Sequence, residues 1–123
     1  VELYALTTGH GAATGQCAEF CNHQHEFVVG GAVHLQQFEI AGVQDGCMAE
    51  VERGMTPNQG GTWWFGRGGW CPGQQVEPWR VDVTSDVTPG TDAIVSYRGL
   101  LNGAEPPDDA GNIVLASYLV IYE

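Results

Sequence analysis

From residue 2 the chain reads ELYALTTG, and from residue 25 it reads HEFVVG and then AVHLQQFEI on the far side of Gly31. Runs of this kind suit strands with two different faces, because successive side chains on an extended chain point to opposite sides. Nowhere do apolar residues recur at helical spacing for three turns, so helices are not expected as main elements. The pattern predicts eight strands, at 2–9, 25–30, 32–40, 47–53, 62–66, 79–87, 92–99 and 113–122. Gly30-Gly31 marks a hairpin between the second and third, since a two-residue primed turn needs positive φ and glycine tolerates it. Longer loops are expected at 10–24, 54–61, 67–78 and 100–112. No repeat, linker or low-complexity stretch divides the chain, so residues 1–123 are read as one domain. The expected fold is all-β, a single eight-stranded antiparallel jelly-roll sandwich, with an immunoglobulin-like sandwich as the rival.

Composition supports that picture: eighteen glycines and six prolines in 123 residues provide for turns, and 43% hydrophobic content is too apolar for disorder. No apolar run approaches the roughly 18 residues of a membrane-spanning helix. The formal charge is −11, with no lysine and four arginines, Arg53, Arg67, Arg80 and Arg98. A nucleic-acid backbone would be repelled, so neither nucleic acid nor membrane is an expected partner. The first residue is Val1, which points to a trimmed chain or a piece of a longer one. An even number of cysteines without a CxxC pair points to disulfides and an oxidising compartment, hence to a secreted or extracellular protein, with the periplasm included.

Residues 17–25, CAEFCNHQH, gather two of the four cysteines and two of the four histidines around Glu19. On an extended strand Cys17 and Cys21 would stand about 13 Å apart at Cα, beyond the roughly 7 Å limit for a bridge. One helical turn would bring them into range and hold Glu19 near the tip of a small ring. Four cysteines allow three connectivities, and a long-range bridge with Glu19 on a wet loop is the plainer alternative.

The second constellation is 57–73, PNQGGTWWFGRGGWCPG. Its glycines and prolines permit sharp turns and close backbone approach to a ligand. Trp63, Trp64 and Trp70 offer apolar faces on which a sugar ring can stack, and Arg67 offers a planar fork of donors for a carboxylate or acyl oxygen. The plainer alternative is that the tryptophans belong to the core and Arg67 pairs with a surface acid.

These motifs carry a resemblance. TTGHG at 7–11, CAEFC at 17–21, GGTWWFGRGGWCPG at 60–73 and VEPW at 76–79 resemble the second jelly-roll domain of the peptide-N-glycosidase F family. The matching blocks cover about 1–30 and 57–84, and the last forty residues match as generic strands. The resemblance implies a secreted two-domain amidase that cuts between asparagine and the first sugar of an N-linked glycan, with the cleft between two jelly rolls. It makes Glu19 the glutamate that supports catalysis from the second domain, and Arg67 the arginine of the RxxWC motif facing substrate. It also implies two disulfides, Cys17–Cys21 and Cys47–Cys71. The family's principal catalytic aspartate belongs to the first domain, and Asp45, Asp82, Asp86, Asp92, Asp108 and Asp109 sit in no context that replaces it. The chain alone is therefore expected to be an incomplete amidase.

His23 and His25, two apart, would point to one face of a strand and could share a metal ion. This HxH is similar to the pattern of the copper type II ascorbate-dependent monooxygenase jelly rolls, with Met48 or Met55 as a third ligand and His10 from a neighbouring strand. Imidazole and thioether suit copper, and imidazole alone suits zinc or copper. The plainer alternative is ordinary hydrogen bonding, with His34 facing solvent beside Val33 and Leu35. The acidic stretch EPPDDAGN at 105–112 is read as a solvated turn rather than a calcium site of Asp108, Asp109 and Asn112.

Two function classes follow. One is the glycan- or glycopeptide-facing half of an exported amidase-like protein, requiring no cofactor and completed by a second jelly-roll domain or chain. The other is a non-catalytic structural or copper-binding extracellular module.

Overall fold

A computed structural model describes residues 1–11, 17–43, 45–56, 68–108 and 111–123, with the side chain of Cys17 left aside. Strand β1 (Glu2–His10) buries Leu3, Ala5 and Thr7 on alternate positions. It pairs antiparallel with β4 (Trp79–Asp82), from Glu2↔Asp82 to Ala5↔Trp79. On its other side it pairs along its whole length with β6 (Asn112–Val120), from Glu2↔Val120 to His10↔Asn112. The second sheet has β2 (Gln24–Val29) at its centre, between β3 (Ala32–Gln36) and β5 (Val95–Leu100), again antiparallel on both sides.

The two three-stranded sheets face each other across one core. Leu3 and Ala5 come from the first sheet, Phe27 and Val29 from the second, and Val83 follows β4. Phe27 is the hub: its ring centroid lies 5.5 Å from Trp79 of the opposite sheet and 5.0 Å from Tyr97 of its own. Burying such a ring stabilises the sandwich by roughly 1.5–3 kcal/mol. The fold is thus all-β, a sandwich of two antiparallel sheets. Among the described residues it has six strands, and the expected strand at 62–66 lies outside them.

The hairpin falls where the sequence places it, with Gly30 and Gly31 at φ 56° and 94°. Other expectations need correction. Residues 47–53 are no strand but part of a 3₁₀ helix, Gly46–Arg53. The Met48 N–H donates to the Asp45 carbonyl, and the Gly54 N–H to that of Val51, as three-residue turns require. Its buried residues are Cys47 and Glu50, three apart on one side, a spacing that a period of two cannot serve. The expected 79–87 strand stops at Asp82 and gives way to a short 3₁₀ turn, Thr84–Asp86. β3 stops at Gln36, short of Ile40.

A second, smaller apolar cluster lies apart from the sandwich core. Ala41, Cys47, Met55 and Cys71 are buried together with Phe38 packed on them. The Cys47–Cys71 disulfide, with Cα atoms 5.5 Å apart, ties the 3₁₀ helix to the stretch around Trp70. The expected Cys17–Cys21 bridge involves a side chain outside the described ones.

Candidate functional site

The short helix α1 (Cys17–Phe20) carries Glu19 at the far end of β1. Its anchor is Ala18, which is 2% exposed. A Cβ built on Gly9 would stand 1.7 Å from the Ala18 carbonyl oxygen, and one on Gly68 would stand 2.7 Å from the same atom. Side chains at either position would push the turn away, so these two glycines let it seat directly on backbone. Gly68 is the residue after Arg67, and Ala18 is the residue before Glu19. The segment that follows turns to other partners: a Cβ on Gly69 would approach Thr7 backbone and the Phe38 ring, and Trp70 and Cys71 continue towards the disulfide. Glu19 is half-buried. Arg67, Trp63 and Trp64 lie outside the described residues, while Trp70 is half-buried and lines a cavity.

The histidines named as candidate metal ligands have protein partners of their own. His23 and His25 are buried at 2% and 1% exposure. His23 Nδ1 lies 3.2 Å from the Cys21 carbonyl oxygen, and His25 Nδ1 shares a 2.9 Å hydrogen bond with the Tyr97 hydroxyl. The His25 ring stacks on Tyr97 and meets Phe38 edge-on, and its Nε2 has no hydrogen-bond partner among the described residues. Desolvation, followed by the neighbouring His23, pushes the His25 pKa down to about 4, so the ring is neutral at neutral pH. His10 is exposed at the end of β1 and bonded to Thr8 at 2.7 Å. Met48 is 55% exposed on the 3₁₀ helix, whereas Met55 is buried in the disulfide cluster. Among the described residues no group of three or more His, Cys, Asp or Glu side chains is placed to hold a metal. His23 and His25 are thus engaged with protein partners, and Met48 and Met55 belong to the 3₁₀ helix and the disulfide cluster.

His34 is a further correction. It faces inward while Val33 and Leu35 face solvent, and its Nε2 meets Asp86 Oδ2 at 2.9 Å. Of the other candidate acids, Asp82 accepts from the Thr84 N–H at 2.8 Å, and its pKa is lowered by the Thr84 side-chain and backbone hydrogen bonds. Asp108 is exposed, and Asp109 lies outside the described residues.

Sequence reasoning missed a set of amides. Gln36, Gln37, Gln74 and Gln75 line one cavity of about 440 Å³ beside Trp70. The signal was two Gln-Gln doublets, one inside the predicted strand 32–40 and one in the expected loop 67–78.

No helix among the described residues is long and apolar enough to cross a membrane. The profile of the family described as peptide-N-glycosidase F, C terminal, matches residues 1–120. The chain is 31% identical over 87 residues to peptide-N(4)-(N-acetyl-beta-D-glucosaminyl)asparagine amidase F from Elizabethkingia miricola. That alignment covers 71% of this chain and 23% of the relative, so the chain aligns with about a quarter of the relative's length. No solved structure matches the chain.

Proposed function

Because the chain belongs to the peptide-N-glycosidase F C-terminal family, we propose that it is the glycan-facing half of an exported amidase-like protein. Its substrate is an asparagine-linked glycan or glycopeptide, and a second domain or chain completes the site. The observation that carries this reading is the seating of Ala18 on Gly68, which sets the neighbours of Glu19 and Arg67 against each other at the end of β1. A Cys17–Cys21 bridge closes the turn that carries Glu19, and the buried Cys47–Cys71 bridge agrees with an oxidising compartment.

Amide hydrolysis needs a group to activate water and donors to hold the developing oxyanion. Glu19 serves as the supporting carboxylate, able to hold or orient a proton. Arg67 presents guanidinium donors to the glycan or acyl oxygen, as a planar fork allows. Trp63, Trp64 and Trp70 supply sugar-stacking surfaces. The acid that leads the reaction comes from the partner domain, and half a cleft holds substrate too loosely for efficient turnover. Incubating the isolated chain with an N-linked glycopeptide tests this division of labour. No glycan release above a Glu19→Gln control is expected, and release above that control would overturn it.

A further inference from the structure

The cavity beside Trp70 adjoins the Gly68–Cys71 segment: Gly68 abuts Ala18, whereas Gly69 lines the cavity and abuts Phe38, a residue of its wall. Gln36, Gln37 and Gln75 present primary amides, each able to donate and accept. Glu39 and Glu77 add acceptors, and the Phe38 and Trp70 rings add apolar surface. The Trp70 indole N–H is buried without an acceptor among the described residues. Arg53, the cation of the lining, is engaged at 2.9 Å with Glu50, which also accepts from Gln74 at 3.0 Å.

This chemistry selects its ligand. Among the described lining residues, phosphate, sulfate or a sialic acid carboxylate would meet three carboxylates, those of Glu39, Glu50 and Glu77, against one guanidinium already paired. A purely apolar ligand would strip water from the amides without replacing their hydrogen bonds. Vicinal hydroxyls on a neutral ring can both donate to carboxylates and exchange bonds with amides, while the ring's C–H face covers an aromatic surface. A volume of about 440 Å³ has room for one or two hexose units.

We propose that this cavity is a second saccharide subsite, taking a neutral sugar of the glycan beyond the residue handled near Glu19. The assignment rests on the glycan reading of the neighbouring site, and the test separates the two. The chain is titrated by NMR with a neutral α-linked mannotriose and with 3′-sialyllactose as the anionic comparison. Mannotriose is expected to shift the Trp70 indole and the Gln side-chain amide resonances. A Gln37→Ala/Gln75→Ala variant, altered at two exposed positions, should weaken that binding about tenfold with an unchanged melting temperature. Glu77→Gln serves as a milder second variant, and Glu19→Gln should leave mannotriose binding intact.

Mannotriose binding that ignores the Gln37/Gln75 pair overturns the subsite, as does equal binding of 3′-sialyllactose or no binding of either sugar. Loss of glycopeptide binding in Glu19→Gln under any of those results leaves the function proposed above standing. Loss of glycopeptide binding in the Gln37/Gln75 variant, with binding retained in Glu19→Gln, supports the subsite.

Discussion

Gly9 and Ala18 touch backbone to backbone: a Cβ added to Gly9 would lie 1.7 Å from the Ala18 carbonyl oxygen. The turn bearing Glu19 is therefore held by the absence of a side chain on β1. Gly9→Ala should displace α1, costing about 1–3 kcal/mol as an overpacked site does. Equilibrium denaturation measures this directly. Full stability in Gly9→Ala would show that the turn is not seated as described.

The disulfide joins Cys47, at 0% exposure, to Cys71 in the small cluster under the Trp70 stretch. Replacing both with alanine should cost roughly 2–5 kcal/mol. The melting temperature of that variant, compared with the parent, checks the prediction. An unchanged value would mean that the bridge adds nothing to the fold.

Phe27 spans both sheets through Trp79 and Tyr97. Phe27→Ala should cost about 3–5 kcal/mol, the range for deleting a buried aromatic ring. Chemical denaturation of the variant provides the number, and a loss under 1 kcal/mol would argue against this residue as hub.

Stability should also fall in mild acid. His25 is held at a pKa of about 4 against the ordinary histidine value of 6.5, so the folded protein binds fewer protons than the unfolded chain in that window. The contribution is fully present above about pH 6.5 and is lost as pH falls towards 4. The loss is on the order of 3 kcal/mol by the usual conversion of pKa shift to free energy. Urea midpoints from pH 7 to pH 4 should decline more steeply in the parent than in His25→Gln. Parallel pH profiles would contradict the assignment.

Much of the scaffold was legible in the chain. Gly30-Gly31 announced its hairpin, and the two-residue period placed β1, β2 and β6 because each has one face on the core. What failed was decided by contacts distant in sequence. Residues 47–53 read as a strand, but the disulfide to Cys71 and the burial of Glu50 with Gln74 favour a 3₁₀ helix. His34 pairs with Asp86, 52 residues away, which no local pattern announces. The HxH spacing suggested one shared face for His23 and His25 but not their burial, and their immediate partners are a carbonyl and a tyrosine hydroxyl. At the candidate site the motifs around Glu19 and Arg67 were visible, while the glutamine-lined cavity emerged only when β3 and the stretch after Cys71 came together.

The central claim is that Glu19 and Arg67 face a glycan from one side of a cleft. The most direct measurement is a backbone amide NMR titration of the isotopically labelled chain with a peptide bearing asparagine-linked chitobiose. The account predicts shifts centred on Glu19, Arg67 and Gly68 that vanish when the sugar is removed from the peptide. Shifts confined to other surfaces, or an identical response to the sugar-free peptide, would contradict it.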